Sequence, residues 1–215
     1  ARDTSFADSD YSTHKDGTVL DSRKFSNLSR LHDYLAEFKK EVLSHYDCVT
    51  IGEVGGGAST EEALKYSGYE QGSIHMVFNF DTCWENGGFG NELAKDEDLK
   101  TNVKNMKAIF KKWYDASVGK AWLPIYWLNH DHPRVVSQYG SITYRNESAK
   151  KLATVLLFMY GTPFIYNGEE IGMSNVDYTS LADFKDVSGI YYANDAKKRR
   201  TAEEILRFLR RSSRI

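Results

Sequence analysis

Four short apolar runs in the 215-residue chain each break off into side chains that can move protons or hold polar ligands. Glu53 follows CVTIG, Asp81 follows MVFNF, Asn129, His130, Asp131, His132, Pro133 and Arg134 follow LPIYWL, and Asn167, Glu169 and Glu170 follow TPFIY. In α/β folds the loops beyond the carboxyl ends of the strands converge on one face, so these are the groups placed to react. Two carboxylates facing one cavity are the least that cleavage of a glycosidic bond requires, and Glu53 and Asp131, two strands apart, are the pair that fits. One carboxyl must be held protonated to donate to the leaving oxygen, which burial or a neighbouring carboxylate achieves. Glu53, next to Gly52, suits the donor role; its plainer reading is a strand-end carboxylate hydrogen-bonded to a loop.

The Asn-His-Asp run is more specific, because three hydrogen-bonding side chains leaving one strand together are costly in a core unless they bind something. Sugar hydroxyls are suitable partners. A metal is the rival, with His130, Asp131 and His132 alternating N and O donors and Glu169 and Glu170 one strand further on. Successive residues on an extended chain point to opposite sides, which argues against His130 and Asp131 sharing one ion. Arg134 can clamp a substrate oxygen or pair with a carboxylate, at the mouth or merely at the surface. Trp84, Tyr126, Trp127 and Tyr139 could stack on sugar rings, although Tyr126 and Trp127 sit inside a strand and fit a core better. The basic run Lys197 to Arg200 reads as a solvated face that could attract anions.

The elements that must carry these groups alternate. Leu28, Leu31, Leu35, Phe38, Val42 and Leu43 share one helical stripe, with Ser26 and Asn27 as candidate caps, and a strand is predicted over Cys48 to Ile51. A short helix capped by Ser59 or Thr60 runs to Tyr66, followed by a strand from His75 to Asp81 and a Gly-containing loop from Cys83 to Asn91. Further helices are predicted over Leu99 to Val118, Tyr144 to Tyr160 and Ala202 to Arg210, with strands over Trp122 to Asp131 and Thr162 to Asn167. Residues 1–25 are rich in Asp, Ser and Thr and without period, and read as a loop; residues 187–215 read as a polar helical tail. Strands alternating with helices favour a parallel sheet. Neither G-x-G-x-x-G nor G-x-x-x-x-G-K occurs, so no nucleotide cofactor is expected. A (β/α)8 barrel takes about 250 residues, so four strands in 215 residues look like half of one.

Composition narrows the classes. With 41% hydrophobic and 13% aromatic residues the chain can bury a core. With 28 cations against 30 anions it is no nucleic-acid binder of the usual basic kind. No apolar run approaches the roughly 20 residues of a membrane helix. Two cysteines, Cys48 and Cys83, make no disulfide scaffold or metal finger, and a reducing, cytoplasmic setting is expected.

CVTIGEVGG, HMVFNFD, LPIYWLNHDHPRVVSQYG and ESAKKLATVLLFMYGTPFIYNGEEIGM, with the spacing between them, resemble the α-glucosidase branch of glycoside hydrolase family 13, in particular its oligo-1,6-glucosidase and dextran glucosidase group. The resemblance runs from about Thr4 to Asp186. It implies that the chain is the second half, strands five to eight, of a (β/α)8 barrel. It also implies retaining hydrolysis of α-glucosidic bonds, foremost α-1,6, in α-linked gluco-oligosaccharides. No cofactor or metal is expected. By the same resemblance Glu53 is the general acid/base, Asp131 stabilises the oxocarbenium-like transition state, His130 holds sugar hydroxyls and Arg134 lies near the substrate. His132 replaces the family's usual Gln. The family's nucleophile Asp sits in a G-x-R-x-D pattern that does not occur in these residues. The expectation is therefore a fragment that is inactive alone and that self-associates or pairs with a missing N-terminal half. The alternative is a non-catalytic half-barrel module that binds carbohydrate or is structural.

Overall fold

The structure is a computed structural model that describes residues 26–55, 58–81 and 101–212. The loop read over 1–25, the loop from Cys83 to Asn91 with Trp84, and the first two residues of the helix read from Leu99 lie outside those residues. The chain divides into two compact units, Ala1–Phe80 with Phe110–Pro124, and Asp81–Ile109 with Ile125–Ile215.

In the first unit, helix α1 (Ser29–Glu41) forms where the apolar spacing predicts it, but its stripe is not buried: Leu31, Phe38 and Val42 are all exposed. The predicted caps do other work. Leu28 is the N-cap residue with no side-chain cap, and Asn27 adopts φ 55°, accepts from the Tyr66 hydroxyl at 2.8 Å and donates to the Gly55 carbonyl at 3.1 Å. Strand β1 (Ile51–Glu53) lies further along than Cys48 to Ile51, so Glu53 is the last strand residue and not the first loop residue. Pairing sets this register. β1 runs parallel to β2 (Met76–Phe78), with Glu53 opposite Phe78. Upstream of it, Thr50 is tied by three contacts of 2.8 to 3.1 Å to the ring and amide of His75. Between the strands, α2 (Thr60–Ser67) starts at Ser59, whose hydroxyl accepts from Glu62 N as the Ser-x-x-Glu pattern anticipates. Helix α3 (Val103–Ser117) belongs to this unit from Phe110 onward, and Gly119 beyond it supplies the left-handed φ of 73°.

The second unit is built around the run after Pro124. Strand β3 (Pro124–Tyr126) pairs with β4 (Thr162–Phe164), so among the described residues the four strands form two two-stranded sheets and no closed barrel. Both strands are shorter than the apolar runs that contain them. Tyr126 and Trp127 are buried, as a core reading requires, and Tyr139 is buried with them. Trp127 Nε1 donates to the Leu152 carbonyl at 2.8 Å, and the Trp127 and Tyr139 rings lie 5.5 Å apart. Two helices escape the periodicity. Helix α4 (Val135–Tyr139) has only five residues, four of them buried, so it offers no polar face to count. Helix α5 (Arg145–Leu157) follows it. Helix α6 (Val187–Ala196) buries Gly189, Ala193 and Ala196, a stripe of small side chains that hydropathy does not flag. It is capped by Asp186, which accepts from Gly189 N at 2.7 Å. Helix α7 (Ala202–Ser212) opens on a reciprocal Thr201–Glu204 cap. The segment read as a polar tail thus carries its own core of Phe184, Ala193, Ala196, Ile205 and Leu209, with Tyr178 edge-on to Phe184 at 5.1 Å.

Candidate active site

Glu53 belongs to the first unit, and His130, Asp131 and Arg134 to the second. Glu53 ends β1 with its side chain exposed; the next residue, Val54, is buried and its N–H bonds to the Phe78 carbonyl at 3.1 Å. Parallel pairing thus holds the backbone on both sides of the carboxylate, and its side chain is presented where the strand stops.

Beyond β3 the chain turns instead of continuing as a strand. Asn129 accepts through Oδ1 from Asp131 N at 2.8 Å and through its carbonyl from His132 N at 3.2 Å, an Asx turn of the kind Asn favours. This overturns the alternation argument. In the turn His130 Nε2 lies 3.5 Å from Asp131 Oδ2, on the same side, both groups reaching solvent while His132 is buried. Among the described residues, no three His, Cys, Asp or Glu side chains gather where they could hold a metal ion. The arrangement presents one carboxylate and one imidazole side by side to anything seated on the turn. An anion there stabilises developing positive charge, and the imidazole can donate to or accept from a hydroxyl.

Arg134 is placed differently from a free clamp. It is 9% exposed, its Nη1 donates to the Asn167 carbonyl, and its guanidinium lies 5.5 Å from the Tyr166 ring centre. The guanidinium therefore ties the turn after β4 to the turn carrying Asp131. That second turn needs glycine at two points: Gly168 (φ 90°) and Gly172 (φ 66°) adopt left-handed backbone, and a Cβ on Gly168 would meet Met173 Sδ at 2.1 Å.

The tandem glutamates serve this turn. Glu170 accepts from Gly168 N at 2.8 Å and Glu169 from Tyr166 N at 3.1 Å. Burial pushes the Glu169 carboxyl up from 4.5 to about 7; the Tyr166 amide opposes this, the Glu170 charge adds to it and Arg134 opposes it again. Glu169 also lines a pocket of about 260 Å³ with Asn146, Lys150, Leu157, Ile165 and Ile171, a pocket that Asp131 does not line. The sequence marks Glu169 only as a strand-end carboxylate, and nothing in the pattern Gly-Glu-Glu says which Glu turns inward. Because Glu169 holds its proton more tightly folded than unfolded, its stabilising contribution is complete below about 4.5 and is lost as pH rises to about 7. Glu169→Gln keeps an acceptor for Tyr166 N without the charge. Urea unfolding is expected to show the variant more stable than the parent at pH 8, by on the order of 1 kcal/mol after screening of the partly exposed carboxylate, and similar at pH 4.

The chain is similar to known proteins over most of its length. The model of the alpha amylase catalytic domain matches residues 2–211. The chain is 44% identical over 177 residues to an oligo-1,6-glucosidase of Bacillus cereus, covering 81% of this chain and 31% of that protein. It is 40% identical over 185 residues to a glucan 1,6-alpha-glucosidase of Streptococcus dysgalactiae subsp. equisimilis, covering 84% and 34%. Its fold matches the crystal structure of trehalose-6-phosphate hydrolase of Bacillus licheniformis with a TM-score of 0.82 at 33% identity, over 90% of this chain and 35% of that one. The chain spans about a third of the length of the curated relatives it matches. An α/β chain whose β3 is followed by Asn-His-Asp and whose β4 is followed by Gly-Glu-Glu, matched by this domain model over nearly its whole length, belongs to the alpha-amylase catalytic-domain family, glycoside hydrolase family 13.

Proposed function

We propose that this chain is strands five to eight of a (β/α)8 barrel, and that the whole enzyme hydrolyses α-glucosidic bonds, foremost α-1,6, in gluco-oligosaccharides with retention of configuration. The observation that carries the reading is the Asx turn after β3, which sets Asp131 and His130 side by side and open to solvent. The names of the relatives, oligo-1,6-glucosidase and glucan 1,6-alpha-glucosidase, support the linkage.

Each residue then has a step. Glu53 donates its proton to the glycosidic oxygen as the bond from that oxygen to the anomeric carbon breaks. Asp131 faces the positive charge that develops on the ring, His130 bonds hydroxyls of the same sugar, and Arg134 anchors the turns that line the substrate. A carboxylate from the remaining polypeptide takes the anomeric carbon, and Glu53, now ionised, draws a proton from the water that releases it. Without that carboxylate the isolated chain does not turn over. It pairs with the missing half or with itself, and the open apolar side chains Leu31 and Phe38 on α1, and Phe158, Ile165 and Ile171 near β4, support this.

The test is complementation. The chain is refolded with the part of the Bacillus cereus relative that precedes the matched segment, and isomaltose, maltose and trehalose 6-phosphate are offered. Isomaltose cleaved fastest, with α-glucose as the first product seen by proton NMR, is the expected result. Preference for either other sugar overturns the linkage, and β-glucose first overturns retention.

A further inference from the structure

One residue, Asn175, joins two helices of the second unit, α4 and α7. Its Oδ1 accepts from Arg134 N at 2.8 Å, its Nδ2 donates to the carbonyls of Arg210 at 2.9 Å and Arg211 at 3.1 Å, and its own N–H donates to Ser137 Oγ at 2.8 Å. The amide orientation follows from the partners: an N–H on one side requires the oxygen, and two carbonyls on the other require the NH2. The three bonds of the side chain serve backbone groups at helix ends. Arg134 is the N-cap residue of α4 and has no side-chain cap, while Arg210 and Arg211 are in the last turn of α7, where carbonyls lack an intrahelical partner. Around it, Arg210 Nε donates to the Tyr178 carbonyl at 2.5 Å and lies 3.1 Å from Asp177 Oδ1, so the same helix end is also held to the segment just after Asn175.

Arg134 N is three residues beyond Asp131, at the end of the turn that presents the carboxylate. Through Arg134 Nη1 the same residue fixes the turn after β4. We infer that Asn175 is a positioning residue: it sets the turn bearing His130 and Asp131 against the end of α7, making the C-terminal helical hairpin a support of the site and not an appendage. This inference takes the importance of that turn from the function proposed above, but its geometry and its test do not depend on turnover.

The test uses amide hydrogen exchange in the full 215-residue chain, read by NMR. In Asn175→Ala the Arg134 amide and the amides of the last turn of α7 are expected to exchange about tenfold faster, while those of β1 and β2 keep their rates. Asn175→Asp retains an acceptor for Arg134 N but cannot donate to the Arg210 and Arg211 carbonyls. It should restore protection at Arg134 and leave the end of α7 frayed, a split that general loosening does not produce. Unchanged exchange at Arg134 in the Ala variant, or equal acceleration at both places in the Asp variant, overturns the inference. If the Ala variant does not fold, the Asp variant alone decides. Failure of complementation with normal exchange results would instead remove the hydrolytic reading.

Discussion

Glu53→Gln is expected to lower the hydrolysis of aryl α-glucosides with poor leaving groups by about 10²- to 10⁴-fold in the complemented enzyme, with KM little changed. The amide keeps the size and one hydrogen-bonding oxygen of the carboxyl but has no proton to give to the departing oxygen. Parallel pairing of β1 with β2 supports the backbone on both sides of residue 53, and the side chain is exposed, so the substitution disturbs neither register nor core. A leaving group that departs unprotonated, such as a dinitrophenolate, should recover most of the first step. That recovery separates a lost acid from a lost fold. Equal losses with good and poor leaving groups would take the donor role from Glu53.

Asp131→Asn is expected to lower kcat for every leaving group alike, on the order of 10³-fold, because the role proposed for Asp131 is a negative charge facing a cation that exists only in the transition state. The substitution is nearly isosteric, and the bond that shapes the turn is made by the backbone N–H of residue 131 to Asn129, which the variant keeps. The His130–Asp131 contact reaches solvent and contributes little to stability, so the melting temperature should barely move. Leaving-group dependence measured across the two variants therefore distinguishes the two carboxylates. A loss in Asp131→Asn that vanishes with good leaving groups would assign proton transfer to the wrong residue.

The parts of this account that the sequence makes legible are those written in local pattern. Ser59 with Glu62 marks the start of α2, and α1 and α5 follow from apolar spacing. Pairing is not local. Cys48 and Val49 have strand-forming character, yet β1 begins at Ile51 because Met76 to Phe78 dictates the register, and Glu53 moves from loop to strand end as a result. Small-residue packing is equally silent in hydropathy: Gly189, Ala193 and Ala196 make α6 part of a core that the composition of residues 187–215 disguises as a tail. At the site, Asn129, His130 and Asp131 are visible as a polar run, but only the Asx turn shows that imidazole and carboxylate share a side. Arg134 illustrates the limit of residue type. A guanidinium at a site mouth suggests a substrate clamp, and here it is buried against Tyr166 and the Asn167 carbonyl, a role set by elements 33 residues away. Asn175 carries no sequence signal, since nothing about Ser-Asn-Val foretells an amide bonded to the ends of two helices.

The most direct test of the central claim is hydrolysis of an aryl α-glucoside by the purified 215-residue chain, alone and mixed with the preceding part of the Bacillus cereus relative, with Glu53→Gln in parallel. The account predicts silence from the chain alone, activity from the mixture, and loss of that activity in the variant. Turnover by the chain alone that Glu53→Gln abolishes would contradict it, for a carboxylate among these residues would then be serving as the nucleophile.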